Sequence, residues 1–599
     1  MSSKYEVSQK EVSTLLEFIK SGEIAIPEIQ RPFVWEKSKV RDLMDSLYQG
    51  YPVGYIIVWR NPNVKLKDGQ IAEGKKVLID GQQRITALTA AILGQQVVDD
   101  EYKKGRIIIA FNPLEGKFEV SNPAIQKDGK WISDIAPLLS GSVKASHIRR
   151  EYCKINESVD EEFVEDVIDR LKDISKRQIG LIELSHDLDI ETVTEIFIRI
   201  NSQGVVLSQA DFVMSKIAAN EEYDGSTLRK AVDYFCHLAI APEFYDFIKE
   251  NDTEFAKTSY FQKMSWLRNV NDDIYDPSYV DMLRVAFTSK FYRGKLADLV
   301  SLLSGRNFET RAYEVEIAKE SFDRLKEGVL NFMNQTNFER FVMIIKSAGF
   351  VSSKQLRSQN VINFAYILYL TLVEQGHASA KIESYVKRWL VMSILTGRYS
   401  GSPESTFDRD IKRIRETVDT FEEYIKVVEE GELSDAFWDV SLVQSLGYAA
   451  ATNPQFNVFL ASQAVTGDKG LFSEFVTVKD MLEHRGDVHH IFPKNYLKKA
   501  GLTRGKYNQV ANYVYTQSEI NIRIGDKAPK VYFEDLFKQF NGGELKYGGL
   551  KDMDALKDNL KQNCIPESII EMELENYDEF LILRRQLIAQ KIKNYYWKL

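Results

Sequence analysis

The sequence predicts a helix-rich, multidomain α+β protein, and three observations lead there. The chain has 599 residues, too many for one hydrophobic core at roughly 150 residues per domain. Short β-branched runs alternate with amphipathic helical patterns over the first third. From about Glu221 to Glu430 strand runs become scarce and apolar residues recur at three and four, which predicts a helical region. Mixed character returns near residue 440, so the expected domains are 1–220, 221–435 and 436–599.

In the first part, Tyr55–Trp59, Lys76–Asp80, Arg106–Phe111 and Gly180–Leu184 are apolar or β-branched runs with polar flanks and are expected to be strands. Helices are expected at Glu11–Lys20, Ser38–Gln49 and Gln82–Leu93. Ser158 and Glu161 have capping-box spacing for a helix to about Lys176, and Ser208 is placed to cap one running to Ala219. Farther on, Val361–Val373 is the longest apolar stretch, too short to cross a bilayer and expected as a buried helix. Thr396–Thr406 has loop composition, and Tyr577–Leu599 is expected to be helical. In that last segment Arg584, Arg585, Lys591, Lys593 and Lys598 follow Glu579 without an intervening acid.

Composition narrows the function. With 44% hydrophobic and 28% charged residues the chain is globular rather than disordered. Lys plus Arg is 78 against 87 Asp plus Glu, a net charge of −9, which excludes a uniformly basic nucleic-acid coat but leaves room for a local basic patch. Three scattered cysteines, Cys153, Cys236 and Cys564, form no CxxC pair. Disulfide scaffolds and cysteine-rich zinc modules are therefore excluded, and a reducing cytosol fits. The segment Met1–Val7 has no apolar core of the kind a signal peptide needs, and no membrane partner is expected.

The chemistry concentrates near the C-terminus. Three of the seven histidines, His484, His489 and His490, fall close together in a stretch that continues Ile491-Phe-Pro-Lys494. Asn512 follows His490 by 22 residues and Asn521 follows Asn512 by nine. That spacing suits a hairpin returning into a helix, as a ββα-metal nuclease requires. One histidine takes a proton from water, an asparagine on the second strand orients it, and two further residues hold a divalent ion. The assignment is His490 as general base, Asn512 as its orienting residue, and His489 and Asn521 as ligands of Mg²⁺ or Mn²⁺. Asp487 stands as a supporting partner, and His484 as a surface residue. From His489 to Tyr515 there is no acid, whereas Lys494, Lys498, Lys499, Arg504 and Lys506 alternate with Tyr496, Tyr507, Tyr513 and Tyr515. Such a basic, aromatic segment suits a polyanionic backbone. The competing reading is a histidine pair packed or exposed in a loop, with two incidental asparagines.

Three N-terminal segments also stand out: Ile26-Pro-Glu-Ile-Gln-Arg-Pro-Phe-Val-Trp35, Leu78-Ile-Asp-Gly-Gln-Gln-Arg-Ile-Thr-Ala87 and Phe197-Ile-Arg-Ile-Asn-Ser-Gln-Gly-Val-Val-Leu-Ser208. In the second, a strand ending at Asp80 turns at Gly81 into a helix, whose free N–H groups suit a phosphate. Gln82, Gln83 and Arg84 lie on its first turn, and Gln30, Arg31, Arg199 and Asn201 are positioned to converge from the other segments. No GxxxxGK[ST] motif occurs, so any nucleotide site here is not a P-loop. The residues alone leave open whether this is a ligand site or an ordinary N-cap and turn, with Pro27, Phe33 and Trp35 in the core and Gly204 in a turn.

These motifs resemble the GmrSD-type modification-dependent (type IV) restriction endonucleases. The Ile-Pro-x-x-Gln-Arg, Asp-Gly-Gln-Gln-Arg and Phe-x-Arg-x-Asn-Ser-x-Gly segments resemble that family's ParB/sulfiredoxin-like N-terminal domain. His490-Ile-Phe-Pro, Asn512 and Asn521-Ile-Arg-Ile resemble its C-terminal HNH nuclease domain. The resemblance covers residues 11 to 220 and about 440 to 599. It implies a cytoplasmic bacterial anti-phage enzyme that cuts double-stranded DNA carrying glucosylated or hydroxymethylated cytosine. It also implies a nucleoside triphosphate bound and hydrolysed through Asp80, Gln82, Gln83 and Arg84. Cutting both strands with one HNH site further suggests a homodimer. The alternatives are a phosphorothioate-sensing nicking endonuclease of the same architecture and a nucleotide-switched DNA-binding protein whose nuclease domain is silent. Two positions depart from the family pattern: His489 stands where many relatives carry an acid, and Tyr513 where an aliphatic residue commonly follows the asparagine.

Overall fold

The computed structural model describes residues 4–25, 35–60, 76–98, 104–186, 188, 192–193, 209–218, 220–269, 274–447, 453–484 and 486–599. The backbone divides into two compact units, one of residues 1–229 with 300–313, the other of 230–299 with 314–599.

The first unit is built on a five-stranded mixed sheet. Strand β1 (Tyr5–Glu11) runs into helix α1 (Val12–Lys20). Then come β2 (Ile24–Ala25), α2 (Lys37–Gln49), β3 (Tyr55–Arg60), β4 (Lys76–Asp80) and α3 (Gln82–Leu93). Strand β9 (Gln178–Leu184) closes the set, and the sheet order is β1-β9-β3-β4-β2. The β1–β9 and β3–β4 pairs are antiparallel, and β9–β3 and β4–β2 are parallel. Between α3 and β9, β5 (Gln96–Val98) pairs with β6 (Lys104–Arg106), and β7 (Ile109–Asn112) with β8 (Lys117–Val120). The core joins Ile56, Val58 and Leu78 of the sheet to Val12, Leu15, Val40, Met44, Ile85 and Leu88 of the three helices. These helical residues recur at three and four, as a core-facing helix requires.

Three expectations for this unit are corrected. Strand β1 was not anticipated. The run Arg106–Phe111 is not one strand: Arg106 ends β6, and Ile109 begins β7 in a separate two-stranded sheet. The helix Glu161–Lys172 is capped by Asp160, whose carboxylate accepts from the Glu162 N–H at 3.2 Å. Ser158 therefore is not the cap, and residues 173–176 form a separate 3₁₀ turn. Ser208 and Gly204 lie outside the described residues, although the helix expected after Ser208 is present at Gln209–Ala218.

The second unit is mostly helical. Its central helix, Gln359–Glu374, is buried without a break from Val361 to Leu372. Among the described residues no helix is long and apolar enough to cross a membrane. The expected loop at Thr396–Thr406 is shorter than anticipated, because Pro403 opens the next helix, Pro403–Glu416. Proline tolerates the first helical turn, where no intrahelical N–H bond is needed. The C-terminal part has its own core of Phe472, Ile491, Phe492, Ile524, Tyr532, Phe533, Leu556 and Phe580.

Candidate functional site

The C-terminal constellation is assembled on a hairpin and the helix that follows it. Strand β10 (Asp487–His490) pairs antiparallel with β11 (Tyr513–Thr516), setting His489 opposite Val514 and His490 opposite Tyr513. Helix Ser518–Ile524 comes next and carries Asn521. The order hairpin then helix is the one expected from the spacing. Val488 is 37% exposed whereas His489 is 4% exposed, so the period-2 alternation of a strand turns His489 inward.

Each histidine has its own asparagine. The His489 Nδ1 is in hydrogen-bonding contact with the Asn521 Oδ1. The His490 Nε2 donates to the Asn508 Oδ1 at 3.0 Å. Asn508 was not singled out from sequence; its one signal was its place four residues ahead of Asn512 in the same acid-free segment. Asn512 does a different job from the one expected. Its Oδ1 accepts from the Phe492 N–H at 2.8 Å, and its amide donates to the carbonyls of Phe492 (3.0 Å) and Tyr507 (3.3 Å). Asn512 is fully buried and clamps the backbone just after His490 to the turn before β11, so the ring is oriented by Asn508 instead. The reason is geometric: Asn512 ends the 3₁₀ turn Val510–Asn512, and its own carbonyl accepts from Ile491 at 2.9 Å.

Both rings are held neutral. Burial pulls His489 down to about 4, helped by the nearby His490 charge and opposed by the Asn521 contact. Burial also lowers His490, assisted by Lys494 and opposed by Asn508. The His489 Nε2 is buried and makes no hydrogen bond, and among the described residues none bonds the His490 Nδ1. No group of three His, Cys, Asp or Glu is placed to hold a metal among the described residues. The donors available at this hairpin are thus imidazole nitrogen and amide oxygen, which suit a divalent ion that keeps other positions for water and phosphate. Strand β10 begins at Asp487, whose side chain lies outside the described residues, and His484 is exposed at the end of the preceding helix.

The basic segment divides. Lys494, Lys498, Arg504 and Lys506 are exposed and unpaired with any described acid, whereas Lys499 is salt-bridged to Asp526. Lys494 lies 5.9 Å from the centre of the Tyr507 ring. Two of the four tyrosines are not available as a stacking surface, while Tyr496 and Tyr515 are half-buried. Tyr507 and Tyr513 are 6% and 5% exposed and belong to the interior, and Tyr513 meets the His490 ring edge-on at 5.0 Å. The charges of the C-terminal helix are also largely used internally: Arg584 is buried, Lys591 pairs with Asp468 and Lys593 with Asp435.

In the first unit β4 ends at Asp80, Gly81 turns the chain, and α3 starts at Gln82, as expected. Gly81 has φ 97°, and a Cβ there would lie 3.1 Å from Ile56 Cγ1, so glycine is required by both conformation and space. Arg84 sits on the first turn, but one guanidinium nitrogen donates to the Tyr55 carbonyl at 2.6 Å. Burial raises the Asp80 carboxyl and lowers Arg84, each opposed by the charge of the other. A groove of about 250 Å³ beside Arg84 is lined by Trp35, Lys39, Asp42 and Pro52, among others. Gln82 and Gln83 are half-buried on the same turn. Gln30, Arg31, Arg199 and Asn201, with Pro27 and Phe33, lie outside the described residues.

Comparison with known proteins gives two matches. Residues 12–218 match the family model of the GmrSD restriction endonuclease, N-terminal domain. That span contains strands β2, β3, β4 and β9 of the five-stranded sheet and the Asp80–Arg84 turn, and begins just after β1. An uncharacterized protein of Methanocaldococcus jannaschii is 23% identical over 646 aligned positions, covering 97% of this chain and 98% of that protein.

Proposed function

We propose that the chain is a metal-dependent DNA endonuclease of the GmrSD type that cuts foreign DNA carrying glucosylated or hydroxymethylated cytosine, under control of a nucleoside triphosphate in its N-terminal unit. The observation that carries this reading is the pairing of His490 with Asn508 and of His489 with Asn521 on one hairpin–helix unit. The match of residues 12–218 to a restriction-endonuclease domain supports the substrate class.

His490 is the general base. Donation of its Nε2–H to Asn508 leaves the lone pair on Nδ1, and its lowered pKa keeps the ring neutral near pH 7. It takes a proton from a water aimed at the phosphorus. Asn512 fixes the backbone that follows His490, so the ring does not drift from that water. His489 and Asn521 would hold Mg²⁺ or Mn²⁺ through the imidazole nitrogen and the amide oxygen that face each other, and the depressed pKa of His489 fits a ligand that must be unprotonated. When bound, the ion stabilises charge on the scissile phosphate and on the leaving oxygen. Lys494, Lys498, Arg504 and Lys506 bind backbone phosphates, and Lys499, paired with Asp526, contributes less. In the N-terminal unit the start of the helix after Gly81 receives a phosphate, with Asp80, Gln82, Gln83 and Arg84 as its binding residues. Gln30, Arg31, Arg199 and Asn201 are assigned to the same nucleotide from their motifs alone, and two copies of the chain cut the two strands.

The test is cleavage of two matched duplexes, one plain and one with glucosylated hydroxymethylcytosine, in Mg²⁺ or Mn²⁺ with and without nucleoside triphosphates. The expected result is triphosphate-dependent cutting of the modified duplex alone. Equal cutting of both duplexes would remove the modified-cytosine specificity. Binding of DNA and nucleotide without any cutting would point to a silent nuclease domain, and cutting only of phosphorothioate DNA to the other specificity.

A further inference from the structure

Arg584 is buried at 0% exposure with no described carboxylate in contact. A guanidinium in such a place is costly, and an apolar side chain of similar size would ordinarily be the more stable choice. Its hydrogen bonds explain where it is spent. One terminal nitrogen donates to the Ala511 carbonyl at 2.7 Å and the other to the Asn563 carbonyl at 3.2 Å. Two neighbours on the same helix reach the same turn. The Tyr577 hydroxyl donates to the Lys506 carbonyl at 3.0 Å, and Arg585 donates to the Gln509 side chain at 3.0 Å. Asn508 and Asn512 lie within this fastened stretch. The far end of the helix is tied as well: Tyr595 donates to the Ala348 carbonyl and Tyr596 to Glu429.

We infer that Arg584, assisted by Tyr577 and Arg585, is a positioning residue for the nuclease site: it fastens the turn 506–512, so that Asn508 stays against His490 and Asn512 against Phe492. This rests on the nuclease reading for its catalytic half. The fastening itself is independent of it. Five residues on one helix thus connect the turn to the helical part of the unit, which gives that part a role the sequence alone does not suggest.

The experiment uses the full-length chain and three variants, Arg584→Met, Arg584→Lys and Tyr577→Phe. Backbone amide exchange followed by mass spectrometry reads the turn without any cleavage. Single-turnover cutting of DNA reads the chemistry. In Arg584→Met, faster exchange is expected in peptides covering 505–516, with peptides of the helix Gln359–Glu374 unchanged. The maximal rate is expected to fall about tenfold or more while half-saturation moves less than about threefold, because the substrate is still held and only the base is displaced. Arg584→Lys, which keeps the charge and a single donating nitrogen, is expected to recover part of the rate. Unchanged exchange over 505–516 in a folded Arg584→Met protein would overturn the proposal. So would a loss that appears only as weaker DNA binding. If Arg584→Met does not fold, Tyr577→Phe, which removes one hydroxyl, decides by the same two readings. If the wild-type chain cuts no DNA, the nuclease reading falls and takes the catalytic half with it, while exchange still decides whether Arg584 holds the turn.

Discussion

His489 and His490 are adjacent, yet their surroundings differ. His489 is an interior ring whose partner comes from the helix; His490 is half-buried, with its partner in the turn and one nitrogen unengaged. Burial sets the pH behaviour of the first. In the unfolded chain a histidine titrates near 6.5, whereas His489 in the fold is drawn down to about 4. The unfolded state therefore binds the proton first as pH falls, so the neutral ring contributes stability above about 6.5 that is lost as the pH drops toward 4. Urea unfolding of the wild type and of His489→Gln at pH 7.5 and 4.5 checks this. The wild type is expected to lose more stability on acidification than the variant. Equal losses would contradict the assigned burial. At this scale the sequence was informative about position and less so about partnership. The spacing placed His489 and His490 on the first strand of the hairpin and Asn521 on the following helix, whereas Asn512, expected on the second strand, ends the 3₁₀ turn before it. Which asparagine meets which ring depends on a turn closed by residues far along the chain, such as Arg584, and no local pattern records that.

Elements with one clear periodicity were legible. The helix Gln82–Leu93 and the strand Lys76–Asp80 have the bounds expected from pattern alone. Strand β1 was not, because among the described residues it is an edge strand paired with β9, and it exposes Tyr5 and Val7, 53% and 54%. Its mixed sequence lacks the alternation that a buried face imposes. Packing between helices leaves a subtler mark. Gly328 in helix Val315–Met333 approaches helix Tyr279–Phe291 so closely that a Cβ would lie 2.5 Å from the Ala286 carbonyl oxygen. Gly328→Ala is expected to push the two helices apart and destabilise the chain by about 1–3 kcal/mol, the usual cost of overpacking. Thermal unfolding of the variant checks it; an unchanged or higher midpoint would mean that the pair is less tightly packed.

For the whole molecule, a net charge of −9 coexists with a run free of acids around the candidate site. In that run Lys494, Lys498, Arg504 and Lys506 are exposed. The domain order expected from sequence rested on motifs at the two ends, and the helical middle carried no motif at all. Its hydrogen bonds to the C-terminal helix, through Ala348 and Glu429, give it a structural link to the site that only the fold reveals. The central claim is that the hairpin at His489–His490 is a nuclease site with Asn508 as the orienting residue. The most direct measurement is single-turnover cleavage of a susceptible duplex in Mg²⁺ by the wild type, His490→Ala and Asn508→Ala. Loss of about 10²–10⁴-fold is expected for His490→Ala, the usual contribution of a general base, with a smaller loss for Asn508→Ala and DNA binding retained in both. Wild-type rates in folded His490→Ala would contradict the account.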